Sequence, residues 1–199
     1  MNKLILATAS PRRIDMLNDM GIKFKAVKSF YNEPERKKGQ LPSEYVEDNA
    51  AGKVKSVSKK FNKELIIGSD TVVVYKNRVL GKPGNMNEAF EYIYTLNGKT
   101  HSVYTGLCIF NCETGKLLSS HEKTLVTFRN LTESEITDYL NMIDPLDKAG
   151  AYAIQGEGAL VVQKISGCYY NVVGFPVSKL ESMLLDFGTS LFKYMKNKS

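Results

Sequence analysis

The chain has 199 residues, of which 43% are hydrophobic and 24% charged, so it can bury one substantial core or a core split into two lobes around a cleft. The net charge of +6 suits a phosphate-rich partner, but the basic residues are dispersed and lack interleaved aromatics, so we predict no stable binding of nucleic acid. No apolar run has the length of a signal-peptide core or a membrane span, which predicts a cytoplasmic protein without membrane attachment.

A short apolar strand and an amphipathic helix open the chain. Leu4 to Ala7 predicts the strand, and Pro11 suits the first helical position because its fixed φ fits a helix and no backbone donor is needed there. Gly21 stands where a left-handed residue ends a helix. Two arginines follow Pro11, at a helix end whose dipole opposes cations and favours anions. The segment Ser10-Pro11-Arg12-Arg13 therefore predicts an anion site suited to phosphate oxygens.

A second strand and a long helix follow, joined by a polar loop that carries Glu33. Phe24 to Val27 predicts the strand, and Ser43 predicts the N-cap of the helix. Apolar residues recur at helical spacing after Ser43 and place Lys53 beside the apolar face. Glu33 on its loop carries little information alone, whereas Lys53 is a cation next to a predicted buried surface.

Asp70 directly follows the buried-type strand Leu65 to Ile67, and Val72 to Tyr75 continues that strand. Open α/β folds expose functional side chains at strand ends, where a carboxylate can bind magnesium or activate water. An equally good interpretation of this segment alone is a turn-forming Asp whose side chain accepts hydrogen bonds from nearby amides.

The rest of the chain predicts alternating strands and helices without a linker between independent domains. The predicted elements are a helix over Asn87–Leu96, a hairpin of strands His101–Phe110 and Lys116–Phe128, a helix capped by Thr132 and Glu135 that runs to Met142, strands Leu160–Ile165 and Tyr169–Val173, and a last helix opened by Pro176. We assign no catalytic function to His101 and His121, and the three cysteines predict reduced thiols. The pattern predicts a single mixed α/β domain over residues 1–199.

Several charged side chains on separate elements would form a phosphate site if they converge on Asp70. Lys82 lies on a Gly-Pro-bounded loop, Lys53 on a helix face, and Arg12-Arg13 at a helix end. Phosphoryl chemistry needs such cations to neutralise a polyphosphate, and a group that positions the nucleophile in line. If Glu33 faces Asp70, the two carboxylates form an oxygen-rich site that suits Mg²⁺ or Mn²⁺.

A glycine-rich segment from Asp147 to Gly156 contains Gln155. Small residues let backbone approach a ligand, and an amide that both donates and accepts suits a nucleobase edge. The alternative is a tight structural loop in which Gln155 caps a backbone group, and the spacing alone does not decide between them.

Five segments together resemble the Maf family of nucleoside triphosphate pyrophosphatases. They are Ala7-Thr8-Ala9-Ser10-Pro11-Arg12-Arg13, Gly68-Ser69-Asp70-Thr71, Gly81-Lys82-Pro83, Asp147 to Gly156, and Gly167 to Pro176. The Gln155 segment and Val172 to Pro176 resemble the branch that acts on dTTP and UTP, whereas a sister branch prefers 7-methyl-GTP. The resemblance implies an elongated α/β fold, similar to ITPases, with a mixed sheet, flanking helices and a deep cleft between two lobes.

The resemblance also implies a reaction and a set of roles. The reaction is hydrolysis between the α and β phosphates with a divalent cation, Mg²⁺ or Mn²⁺, and Asp70 matches the position of the catalytic base. Arg12, Thr71 and Gln155 match positions tied to base selection. The polar residues that line the family's cleft are matched by Ser10, Arg13, Glu33, Lys53 and Lys82. Gly52 and Val54, which flank Lys53, depart from the family's usual residues.

The sequence leaves two roles open for Asp70 and more than one function open for the protein. A carboxylate is a weak base for water, so Asp70 either accepts the proton of the attacking water or, with Glu33, binds the metal. The alternative functions are a nucleotide-binding regulator of septum formation and cell division, the 7-methyl-GTP branch, and a nucleic-acid-binding module. The sequence is compatible with a monomer or a homodimer.

Overall fold

The computed structural model describes residues 3–196 and has a mixed α/β fold built on a seven-stranded sheet. The strands are β1 (Leu4–Ala7), β2 (Lys25–Val27), β3 (Leu65–Tyr75), β4 (Arg78–Leu80), β5 (Thr100–Asn111), β6 (Leu117–Phe128) and β7 (Val162–Ser166). The helices are α1 (Pro11–Asp19), α2 (Pro42–Ser58), α3 (Met86–Leu96), α4 (Glu133–Met142), α5 (Tyr169–Val173) and α6 (Val177–Leu185). Within residues 3–196, no helix combines the length and apolar character needed to cross a membrane.

The sheet has the strand order β2-β1-β3-β5-β6-β7, and β4 pairs with β3. β1 is parallel to both neighbours, and its register with β3 runs from Leu4 opposite Leu65 to Ala7 opposite Gly68. The pairs β3–β4 and β6–β7 are antiparallel. A sheet of both kinds, flanked by helices, confirms the predicted mixed α/β class.

The described chain divides into two compact units, each with a core of its own. Unit 1 comprises residues 1–70, 105–122 and 174–199, and unit 2 comprises residues 71–104 and 123–173. The core of unit 1 gathers buried residues from β1, α2, β3 and β5: Ile5, Ala7, Ala50, Val54, Val57, Ile66 and Cys108. The core of unit 2 includes Leu80, Ile93, Leu96, Phe128, Ile136 and Tyr152.

The backbone of helix α2 packs closely against the strands of unit 1, because two strand residues that face the helix are glycines. A Cβ built on Gly68 of β3 would lie 2.4 Å from the carbonyl oxygen of Ala50, and one on Gly106 of β5 would lie 2.2 Å from the carbonyl oxygen of Val46. Any larger residue at either position would push the helix away from the strands. These two glycines therefore set the depth at which the side chains of α2 enter unit 1.

Most predicted boundaries are confirmed. Helix α1 begins at Pro11, Gly21 follows its end with φ of 72°, and Thr132 and Glu135 form the predicted capping box of α4. The cysteines in the described chain are free thiols.

Two predictions of local structure were wrong. Ser43 is not the N-cap of α2, because Pro42 already occupies the first helical turn and the cap falls on Leu41. Tyr169 to Val173 forms helix α5 instead of a strand. Short apolar runs do not distinguish a strand from a buried helical turn by their periodicity.

We predict that Gly106→Ala lowers the free energy of unfolding by about 1–3 kcal/mol, because the added methyl overlaps the backbone of α2. Gly81→Ala is the matched control, since a Cβ there meets nothing within 4 Å and the glycine has no left-handed φ. The control should leave stability unchanged or raise it by up to about 1 kcal/mol. Urea unfolding of both variants measures the difference, and equal stabilities would contradict the close packing of α2.

His101 is buried in the core of unit 2, edge-on to Phe128 and with its Nε2 2.8 Å from the hydroxyl of Tyr152. Burial lowers the pKa of His101 to about 4, from an ordinary value of 6.5. The folded chain therefore holds this imidazole neutral at a pH where the unfolded chain protonates it.

We predict that the free energy of unfolding falls by about 3 kcal/mol as the pH decreases from 6.5 to 4, because only the unfolded state takes up the proton of His101 over that range. His101→Gln should flatten this part of the profile relative to that of the unmodified chain. Urea unfolding at several pH values measures both, and an unchanged slope in His101→Gln would contradict the prediction.

Candidate active site

Lys53 is the centre of a cluster of charged groups in unit 1. Its Nζ lies 2.6 Å from Oδ1 of Asp70, 2.7 Å from Oε1 of Glu33 and 3.3 Å from the carbonyl oxygen of Ser69. An ammonium has three N–H groups, and these three acceptors match that number. The side chains of Lys53 and Asp70 are only 12% and 7% exposed, whereas that of Glu33 is 45% exposed. Lys53 therefore joins a buried carboxylate to one that faces solvent.

Asp70 is held by donors on both carboxylate oxygens. Lys53 donates to Oδ1, and Nδ2 of the buried Asn49 donates to Oδ2 over 2.9 Å. The expectation that Asp70 follows the end of a strand was wrong, because β3 continues through it to Tyr75. The parallel neighbour β1 nevertheless stops opposite Gly68, so Asp70 lies two residues beyond the carboxyl end of that pairing. Ligands commonly bind at the carboxyl ends of parallel strands, and the strand that ends beside Asp70 is β1.

Arg13 approaches the residue before Asp70. Its Nε donates to the carbonyl of Gly174 over 2.8 Å, and its Nη1 donates to the carbonyl of Ser69 over 3.0 Å. Oγ of Ser69 donates to the same Gly174 carbonyl. The Ser69 carbonyl thus accepts from both Arg13 and Lys53, so two cations adjoin the backbone that presents Asp70.

The helix that carries Arg13 begins, as predicted, with Pro11 in its first turn. Ser10 is the N-cap of α1 in an extended conformation, and its side chain makes no capping hydrogen bond. Its backbone N–H donates to Oγ1 of Thr8. Arg12 is the second residue of α1 and is partly buried.

The loop before α2 lies along that helix and carries Glu33 to Lys53. The hydroxyls of Ser29 and Ser56 are 2.8 Å apart, and the Tyr45 hydroxyl donates to the carbonyl of Pro34. Between these contacts the Tyr31 ring covers Gly52, where an added Cβ would lie 2.3 Å from the ring. The absence of a side chain at position 52 thus makes room for Tyr31.

Two tyrosines beside the cluster keep their protons. Burial raises the pKa of Tyr31, and the carboxylates of Asp48 and Glu33 raise it further. Burial also raises the pKa of Tyr45, with a contribution from Asp70. Both phenols therefore remain hydrogen-bond donors at neutral pH and add no negative charge to the cluster.

The remaining predicted residues belong to unit 2. Thr71 follows Asp70 in β3, and successive residues of a strand direct their side chains to opposite faces. Nζ of Lys82 lies 2.6 Å from Oδ1 of Asp147, so the Gly-Lys-Pro loop and the segment that starts at Asp147 are joined by an ion pair. Gln155 is exposed and precedes the short 3-10 helix Gly156–Leu160. The structure thus brings together Glu33, Lys53 and Asp70, with Arg13 next to them, within unit 1.

The chemistry of Asp70 and Glu33 fits the predicted divalent cation. One oxygen of each lies within 2.7 Å of the same Lys53 Nζ, so both already face one cation. Mg²⁺ prefers oxygen ligands and uses one or two carboxylates together with waters and substrate phosphates. Across residues 3–196, no group of three or more His, Cys, Asp or Glu side chains could hold a metal ion. The pair therefore suits an ion shared with a phosphate ligand rather than an ion enclosed by protein.

Sequence reasoning missed Asn49 and the two carbonyls that hold Arg13. Asn49 stands in the apolar repeat of α2, between Val46 and Ala50, and a polar residue at a predicted core position was the available signal. The carbonyls of Ser69 and Gly174 leave no trace in a sequence, because every residue carries one.

Comparison with known proteins places the chain in a family. Residues 3–187 match the Maf family model, described as Maf-like protein. The chain is 44% identical over 195 residues to the dTTP/UTP pyrophosphatase of Clostridium botulinum (strain 657 / Type Ba4), a match that covers 96% of this chain and 100% of the relative. It is 45% identical over 183 residues to the dTTP/UTP pyrophosphatase of Thermoanaerobacter sp. (strain X514), with 92% and 95% covered. The chain belongs to the Maf-like family, as its motifs predicted.

A solved structure gives a weaker match. The nucleoside-triphosphatase, or dITP/XTP pyrophosphatase, of Mycobacterium abscessus aligns with a TM-score of 0.43 at 12% identity. The alignment covers 65% of this chain and 75% of that one. A likeness of this size carries no argument about function.

We predict that Lys53→Met lowers the free energy of unfolding by about 3 kcal/mol or more, because it leaves the buried Asp70 carboxylate without its cation. Lys82→Met is the matched control. Its ion pair with Asp147 has side chains 63% and 41% exposed, so its loss should cost less than about 1 kcal/mol. Urea unfolding at neutral pH measures both, and similar losses would contradict the buried character of the Lys53 pair.

Proposed function

We propose that the protein is a nucleoside triphosphate pyrophosphatase that hydrolyses dTTP and UTP to the monophosphate and pyrophosphate. The observation that supports it best is the convergence of Asp70 and Glu33 on Lys53, beside Arg13, in a chain of the Maf-like family. The two relatives, dTTP/UTP pyrophosphatases that are each over 40% identical to this chain, support the choice of dTTP and UTP. We further propose that residues 1–199 act as one domain and that the enzyme works in the cytoplasm.

In the proposed reaction a water molecule attacks the α-phosphorus. A bond forms between the water oxygen and the α-phosphorus, the bond between the α-phosphorus and the oxygen that bridges it to the β-phosphorus breaks, and pyrophosphate leaves with that oxygen, in line with the attack. Oδ1 of Asp70 accepts the proton of the water, while Asn49 holds Oδ2. Lys53 and Arg13 supply positive charge where the phosphate oxygens gain negative charge. Asp70 and Glu33 would hold a divalent cation, which would neutralise further negative charge on the phosphates.

The other predicted residues have proposed roles in binding. Ser10 and Arg13, at the N-terminus of α1, would contact phosphate oxygens, since a helix N-terminus and a guanidinium both favour them. Lys82 would exchange its ion pair with Asp147 for a phosphate. Base selection is proposed for Arg12, Thr71 and Gln155.

Assay of the purified protein with a panel of nucleoside triphosphates and Mg²⁺ or Mn²⁺ tests the proposed function. Release of pyrophosphate from dTTP and UTP in preference to the other nucleotides is the expected result. A preference for 7-methyl-GTP would move the protein to the sister branch. Binding of dTTP without hydrolysis would instead favour a nucleotide-responsive regulator.

We predict that Asp70→Asn abolishes measurable turnover of dTTP while nucleotide binding persists, because the amide neither accepts the proton nor holds the cation as a carboxylate does. Asp138→Asn, on the exposed surface of α4, is the matched control and should keep turnover. Pyrophosphate release and equilibrium binding of dTTP measure the two properties. Turnover of Asp70→Asn near that of the unmodified chain would reject both roles proposed for Asp70.

A further inference from the structure

We propose that Asn49 is the positioning residue of Asp70: it holds Oδ2, so that Oδ1 alone is directed to the side where Lys53 lies and the reaction would occur. This inference rests on the proposed function and deepens it, because it adds a residue that acts on the reaction through Asp70. Asn49 lies outside the sequence motifs that identify the family in this chain.

The placement of Asn49 follows from the helix. Asn49 and Lys53 are four residues apart in α2, so their side chains lie on the same face, one turn from each other. That face meets β3 at Gly68, where the backbone of α2 comes within 2.4 Å of a Cβ position. The short amide of Asn49 therefore reaches Asp70 directly, with an Nδ2 to Oδ2 distance of 2.9 Å.

The two donors on Asp70 have different surroundings. Lys53 contacts Oδ1 and also Glu33, whose side chain is 45% exposed, so the Oδ1 side of the carboxylate adjoins groups that face solvent. Asn49, which contacts Oδ2, is 0% exposed. The carboxylate is thus anchored from the interior and presents one oxygen outward. A fixed orientation of this kind is what a base or metal ligand requires, because reacting groups tolerate little misplacement.

A role in packing alone does not explain why residue 49 is an asparagine. The neighbouring positions on this face of α2 are Val46, Ala50 and Val54, all 0% exposed and all apolar. A buried amide there is costly unless it is hydrogen-bonded, and Oδ1 of Asn49 has no hydrogen-bond partner among the described residues. An apolar residue would fill this position without that cost. The hydrogen bond to Asp70 is the contact that distinguishes Asn49 from such a residue.

Asn49→Leu tests the positioning role, because it keeps a similar volume and removes the donor. We expect kcat for dTTP to fall by about 10–100-fold, the range found when partners that orient a metal ligand are removed, with little change in KM. Asn97→Leu is the matched control: Asn97 lies outside the family segments and is partly buried, and its Nδ2 donates to the carbonyl of Leu131 in unit 2. The control should lower stability and leave kcat unchanged. An unchanged kcat in Asn49→Leu, or an equal fall in the control, would overturn the inference.

A second measurement does not depend on turnover. We expect Asn49→Leu to lower the urea midpoint of the otherwise unmodified chain, because Oδ2 of Asp70 loses its donor. In an Asp70→Ala background the same substitution should raise the midpoint, since Asn49 would there be a buried amide without its partner. Equal shifts in the two backgrounds would overturn the inference. Absence of pyrophosphate release by the unmodified chain would instead reject the proposed function and leave this comparison valid.

Discussion

The close approach of α2 to β3 and β5 is the constraint on which the site depends. Glycines at positions 68 and 106 leave no space for a side chain between the helix backbone and the strands, so the helix packs close to the sheet. At this distance a side chain as short as that of Asn49 reaches Asp70, and Lys53 folds back to the same carboxylate one turn later. The loop that carries Glu33 is in turn held along the outer side of α2. Core packing and site geometry are therefore consequences of the same contact.

The charges around Asp70 balance within unit 1. Lys53 and Arg13 contribute two positive charges, and Asp70 and Glu33 contribute two negative charges. Mutual neutralisation explains how a carboxylate with a 7% exposed side chain is tolerated. It also means that this cluster offers no surplus positive charge to a polyphosphate. A polyphosphate ligand would then depend on cations outside the cluster, namely the proposed metal and Lys82, the proposed phosphate-binding residue of unit 2.

The sequence predicted the elements of the fold better than the contacts of the site. Helical spacing located α2 and placed Lys53 at the margin of its apolar face, and the boundaries of α1 and α4 followed from local capping chemistry. The convergence of Lys53, Glu33 and Asp70 depends on the spacing between α2 and β3, which a one-dimensional pattern does not contain. Asn49 was missed because a polar residue within an apolar repeat indicates that the position is unusual but does not identify its partner. Residues 169–173 were misassigned because five residues are too few to separate a strand from a helical turn.

The saturation of Lys53 makes ligand binding at this residue an exchange. Its ammonium already has three acceptors, on Asp70, Glu33 and Ser69, so an incoming anion gains a hydrogen bond from Lys53 only by displacing one of them. The acceptor that is most easily displaced is Glu33, because its side chain is the more exposed of the two carboxylates. An anion whose single contact is with Lys53 replaces one hydrogen bond by another and gains no net hydrogen bond. A ligand that is also held by other residues can displace Glu33 from Lys53. Under the proposed function, this exchange would favour a nucleotide, which makes further contacts, over inorganic phosphate and other small anions.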